Sequence, residues 1–123
     1  MSTVIDILMV GAGGSIGAVL RYLLTLLPVS PESGFPVKTF FINLIGSFVI
    51  GIVAALAAKE ILNPHVTVFL KVGICGGFTT FSSFALETEG LIERGSTGVA
   101  LIYVALSAVI GILFVFAAGK MVG

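Results

Sequence analysis

Four long apolar stretches, about Val4 to Leu27, Val37 to Ala58, Val66 to Ile92 and Thr97 to Lys120, fill nearly the whole of this 123-residue chain. Each reaches or exceeds the roughly 20 residues that cross a hydrocarbon core at helical rise. The breaks between them, PVSPESGFP, KEILNPH and ERGS, are short and rich in residues that stop helices. Because 58% of the residues are hydrophobic and only 10% charged, the sequence describes an integral membrane protein with no soluble domain. Strands exposed to lipid would leave backbone groups unpaired, so every span is read as a helix. The expected fold is an all-α membrane protein, a single four-helix transmembrane domain over residues 1–123. The N-terminus lacks a positively charged start and a small-residue cleavage site, so the first helix is expected to be retained.

Six basic and six acidic residues leave no basic face for nucleic acid or anionic headgroups. The single Cys75 cannot form an intrachain disulfide. With alternating spans, Lys59, Lys71 and Lys120 fall toward one membrane face and Arg21, Lys38 and Arg94 toward the other. Three against three removes the positive-inside bias. Insertion in both orientations, and pairing as an antiparallel dual-topology homodimer, are therefore expected.

Each span carries a stripe of small or polar residues at helical spacing, which marks the side facing protein. The stripes are Gly14, Gly17, Arg21 and Thr25; Thr39, Asn43, Gly46 or Ser47, and Gly51; Gly76, Thr80, Ser83 and Glu87; and Tyr103, Ser107 and Gly111. Close helix contact accounts for the glycines but not for the polar residues. Arg21 either snorkels to the interface or serves an aqueous vestibule. Asn43, flanked by Phe40, Phe41, Ile42, Leu44 and Ile45, either bridges helices or lines a polar cavity, and the cavity is the preferred reading.

Gly76 and Gly77, followed by β-branched Thr79 and Thr80, are poor helix formers, so the third helix is expected to break there. Unwound backbone at membrane depth must be satisfied by protein or by a water-filled cavity. Its freed carbonyls suit a hard monovalent cation. Phe81 and Phe84 then project from one side of the following half-helix. Their positive ring edges could hold a small anion weakly enough to release it.

The segments GGSIGAVLRY at 13–22, NLIGSFVIG at 43–51 and GGFTTFSSF at 76–84 resemble the small bacterial fluoride channels of the Fluc (CrcB) family. That resemblance implies a multi-pass protein of the bacterial inner membrane and an antiparallel homodimer with two anion pores. It also implies a structural sodium ion at the dimer interface. Phe81 and Phe84 match the family's phenylalanine pair and Asn43 its pore-lining asparagine, while Thr39, Ser82, Ser83 and Tyr103 correspond to its hydroxyl track. The sodium-coordinating carbonyls would come from Gly76 and Thr79 of both subunits. Arg21 matches the arginine of the first helix, and Glu87 is a vestibule candidate. One departure is visible, TTFSSF in place of TTFSTF, which keeps a hydroxyl at Ser83 and loses a methyl.

The implied mechanism is passive fluoride efflux through weak serial donors that replace the ion's hydration. The partners are fluoride, a second copy of the chain and the lipid bilayer. A four-helix drug or cation antiporter would want a carboxylate in the middle of the first helix, where Ala12, Gly13, Gly14 and Ser15 stand. A membrane scaffold would explain the small residues but not buried Asn43. No nucleophile with an adjacent base suggests an enzyme. His65, in a loop after Pro64, is expected as a solvated interfacial residue.

Overall fold

The structure, a computed structural model, describes residues 2–123. Helix α1 spans Ser2–Thr25 and α2 spans Val37–Ala58. The third span, Pro64–Glu93, is composite: α3 (Pro64–Val68), a π-helical stretch (Phe69–Cys75), α4 (Gly76–Phe78) and α5 (Phe81–Glu93). Helix α6 spans Thr97–Val122. All four spans are long and apolar enough to cross a membrane. Leucines, valines and isoleucines such as Leu8, Leu101 and Val109 cover the outside, as lipid requires.

Local chemistry sets the ends of these elements. Helix α1 stops short of Leu27 because Leu26 and Leu27 tighten into bonds to the carbonyls of Leu23 and Leu24, at 3.2 and 3.3 Å. Lys38 Nζ then donates to the carbonyls of Thr25 (2.9 Å) and Leu27 (3.2 Å), satisfying acceptors that the helix end leaves open. The third span begins two residues before Val66. Asn63 accepts from the His65 backbone N–H at 2.8 Å, and Pro64 occupies the first turn. His65 is therefore helical rather than a free loop residue. Its Nδ1 lies 2.7 Å from Asp6 Oδ1, which ties the start of α1 to the start of the third span.

Two contacts organise the bundle. Helix α2 packs along α6, and α1 packs along the π-helical stretch and α4. The second contact is backbone against backbone. A Cβ on Gly13 would lie 2.5 Å from the Phe69 carbonyl oxygen, and one on Gly77 would lie 2.5 Å from that of Gly14. Gly77 thus permits close approach while staying helical, and Gly76 (φ −63, ψ −38) is helical too. The extended residues are the threonines that follow, Thr79 (φ −80, ψ 157) and Thr80 (φ −148, ψ 117), where β-branching favours that conformation. Between α2, α5 and α6 a small core forms from Phe40, Leu44, Leu91, Ala100 and Tyr103.

Candidate functional site

Three helices converge on Thr79 and Thr80. Asn43 of α2 pairs with the Thr80 backbone at both ends of its amide: Oδ1 accepts from Thr80 N–H at 2.9 Å, and Nδ2 donates to Thr80 O at 3.2 Å. Asn43 thus bridges helices, and one face of the same side chain also lines a cavity. From α1, Arg21 Nε donates to Gly77 O at 3.1 Å, so the guanidinium is directed to backbone at the end of α4. Thr80 caps α5 by accepting the Ser83 backbone N–H on Oγ1 at 3.1 Å.

These bonds leave a specific pair of carbonyls without their helical donors. In an unbroken helix the Thr80 N–H would serve Gly76 O, and the Ser83 N–H would serve Thr79 O. Asn43 takes the first donor and Thr80 Oγ1 the second. Gly76 and Thr79 both line an open groove of about 670 Å³ at mid-bundle depth. Asn43, Ser47, Phe81, Phe84 and Ser107 line it as well. Backbone carbonyls without helical donors are ligands of the kind a hard monovalent cation takes without needing a carboxylate. Among the described residues, no cluster of three or more His, Cys, Asp or Glu could hold a metal.

Phe81 projects into the open with 78% of its surface exposed, whereas Phe84 is half-buried. Their ring centroids are 5.7 Å apart, and Phe84 rests on Tyr103 at 5.0 Å. Ser82 is exposed, its Oγ 3.3 Å from Thr80 Oγ1.

One helical turn further toward the loops, buried Thr39 and buried Tyr103 converge on Glu87. Thr39 Oγ1 donates to Glu87 Oε2 at 2.7 Å, and Tyr103 O–H donates to Glu87 Oε1 at 2.8 Å. Beyond this layer lies a second pocket of about 500 Å³, bounded by the 29–38 segment, Glu87, Gly90 and Arg94. Asn43 to Thr39, Ser107 to Tyr103, and Phe84 to Glu87 are parallel steps of about one turn on three helices. A phenylalanine and polar layer therefore separates a mid-depth groove from a pocket at the loop face.

The fold gathers Asn43, Gly76, Thr79, Phe81 and Phe84 around the groove, and Thr39, Glu87 and Tyr103 into the layer beyond. Arg21 lies behind Gly77, on the side of α1. Ser107 stands out further in the structure than in the sequence. Its Oγ is buried without a hydrogen-bond partner among the described residues, and it lines the groove. The only sequence signal for it was its place in the stripe of α6. The partner of Glu87 could not be read from spacing, because Thr39 lies 48 residues away.

The profile of the CrcB-like protein, Camphor Resistance (CrcB) family matches residues 8–119. A protein of Chlorobaculum tepidum named fluoride-specific ion channel FluC is 45% identical over 112 residues, covering 90% of this chain and 89% of that one. Proteins of the same name from Methylobacillus flagellatus and Thermus thermophilus are 40% and 41% identical, over 95% and 94% of this chain and 94% of each relative. Their name is that of a channel, not an enzyme. Nearly full-length coverage in both directions places all four spans within the match, and the chain belongs to the CrcB family.

Proposed function

We propose that the protein is a fluoride-selective channel giving passive efflux across the bacterial inner membrane. The observation that carries this reading is the Asn43 amide grouped with the Phe81 and Phe84 rings at the groove, next to a layer in which Glu87 takes two hydroxyl donors. Asn43, Phe81 and Phe84 stand at the groove, and Thr39, Tyr103 and Glu87 at the layer beyond. Fluoride is small and strongly hydrated, so a route must replace its water without holding it tightly. The second N–H of the Asn43 amide and the ring edges of Phe81 and Phe84 each do so weakly, while the Thr39 and Tyr103 hydroxyls are given to Glu87. Ser82 and Ser83 add hydroxyl groups beside the phenylalanines. In this reading Arg21 acts from behind, holding the end of α4.

The groove also supports pairing. The groove is an open, mostly apolar surface broken by Asn43, Ser47, Thr79, Thr80 and Ser107, a mixture of small and polar residues that suits close contact with another helix surface. A second copy inserted in the opposite orientation would cover it and bring a second set of Gly76 and Thr79 carbonyls to the first. A sodium ion held by those four carbonyls would supply a fixed central charge, which structures the interface and favours anions nearby. Such a dimer has two equivalent pathways, one for each set of phenylalanines.

Reconstitution into liposomes loaded with fluoride tests the reading, with efflux followed by a fluoride electrode and chloride-loaded vesicles as the control. Fluoride release well above that of protein-free vesicles, with little chloride release, is expected. Release no faster than from protein-free vesicles would remove the channel assignment.

A further inference from the structure

The outer pocket is lined by three charged side chains, and two of them are already engaged. Both oxygens of Glu87 accept hydroxyl donors, from Tyr103 and Thr39. Lys38 is bonded to the carbonyls of Thr25 and Leu27, where the end of α1 carries partial negative charge. Arg94 is the third. It is exposed at the C-terminal end of α5, and among the described residues no carboxylate lies within ion-pair distance of it. Gly90 makes room for its guanidinium, and Gly34 lies in ordinary contact with it. A Cβ on Gly90 would stand 3.3 Å from Nη1, and one on Gly34, whose φ of +81 already favours glycine, 3.8 Å from Nη2.

A carboxylate at the throat of an anion path repels the ion that must pass it. The two hydroxyl donors reduce that repulsion at the throat itself, and the pocket's two cations, Lys38 held on its carbonyls and Arg94 unpaired at the rim, offset it further out. We infer that Arg94 is the anion-collecting residue of this mouth, raising the local fluoride concentration over the pocket and so setting throughput when salt is low. The inference rests on reading the pocket as one end of the fluoride path. The residue acts at long range, as a charge, and needs no direct bond to the ion.

Fluoride current across planar bilayers, measured at two ionic strengths, tests it. Arg94→Gln should lower the current about two- to threefold near 0.01 M, where the Debye length is about 30 Å. The difference should vanish near 1 M, where that length is about 3 Å. Arg94→Lys should retain most of the low-salt current. Equal currents at low salt, or an equal loss at both ionic strengths, would overturn the inference, the second outcome indicating a packing role.

A second measurement changes the charge within one folded variant, so differences in folding between proteins do not enter. Arg94→Cys channels already conducting in the bilayer are treated with a cationic or an anionic thiol reagent, wild type reporting any reaction at Cys75. The cationic adduct should raise the low-salt current and the anionic one lower it; insensitivity to the sign of the adduct overturns the inference. Wild type without fluoride current would instead sink the channel assignment itself, so the two failures are distinguishable.

Discussion

Asn43 both bridges to Thr80 and lines the groove, so its substitution is expected to affect stability and efflux together. Its amide takes both the N–H and the C=O of Thr80, so Asn43→Ala leaves a donor and an acceptor unpaired at membrane depth, at a cost of about 1–3 kcal/mol for each group. Asn43→Asp keeps the acceptor for Thr80 N–H but turns a carboxylate oxygen toward Thr80 O. Both variants should lose fluoride efflux by about tenfold or more, the factor that corresponds to about 1.4 kcal/mol of interaction lost with the passing ion. Thermal unfolding in detergent should rank alanine and aspartate below wild type; unchanged efflux in both would show that the bridge is dispensable. Phe81 offers the opposite case. With 78% of its surface exposed in the single chain, Phe81→Ile removes little packing within that chain. Loss of fluoride efflux in a Phe81→Ile protein that still purifies as a dimer is expected if the ring edge contributes, because isoleucine keeps the bulk and deletes the quadrupole. Near wild-type efflux would reduce Phe81 to part of the wall.

At the scale of elements, the third span is where sequence and fold differ most usefully. Two adjacent glycines are the obvious weak point in a helix, yet Gly76 and Gly77 are helical and the backbone extends at Thr79 and Thr80. Propensity marked the neighbourhood to within a few residues. Contact between Gly77 and the backbone of α1 decided the position, because the glycines are needed for close approach. Thr80 then has a testable part in the proposed cation site, since its Oγ1 takes the Ser83 N–H that would otherwise serve Thr79 O. Thr80→Val should cost about 1 kcal/mol as a lost cap, and the dimer should need more sodium to persist. Size-exclusion profiles after sodium is replaced by a large organic cation are the readout. A dimer fraction indifferent to sodium, in wild type and variant alike, would exclude a structural role for the ion.

For the whole molecule, balanced charge and the open groove lead to the same expectation. Three basic residues expected toward each face would give the insertion machinery no preference, and an open, mostly apolar groove with Asn43, Thr79 and Thr80 on its wall offers a surface that a second copy would cover. Single cysteines placed in the 28–36 loop should be labelled by impermeant reagents from both sides of the membrane, in comparable fractions. Complete protection from one side would rule out dual topology and, with it, the antiparallel pair.

Much of this could be reached from sequence, because lipid is a severe solvent. Unbroken apolar runs of spanning length leave the helix as the one local solution, so span number and approximate ends followed from composition and punctuation, with the ends adjusted by Asn63, Lys38 and the tight turn at Leu26 and Leu27. The polar stripes likewise pointed to Asn43, Thr39, Tyr103 and Glu87 as residues that lipid would not tolerate. What helical spacing could not express was how they pair, since a stripe is a property of one helix and a hydrogen bond here joins two. The bonds from Asn43 to Thr80, from Arg21 to Gly77 and from Thr39 and Tyr103 to Glu87 exist only after α1 has closed on the third span and α2 on α6. The Thr80 cap that takes the Ser83 donor is local, but the diversion of the Thr80 donor to Asn43, which leaves the Gly76 carbonyl without its helical partner, is a consequence of tertiary geometry that no single stretch of sequence contains.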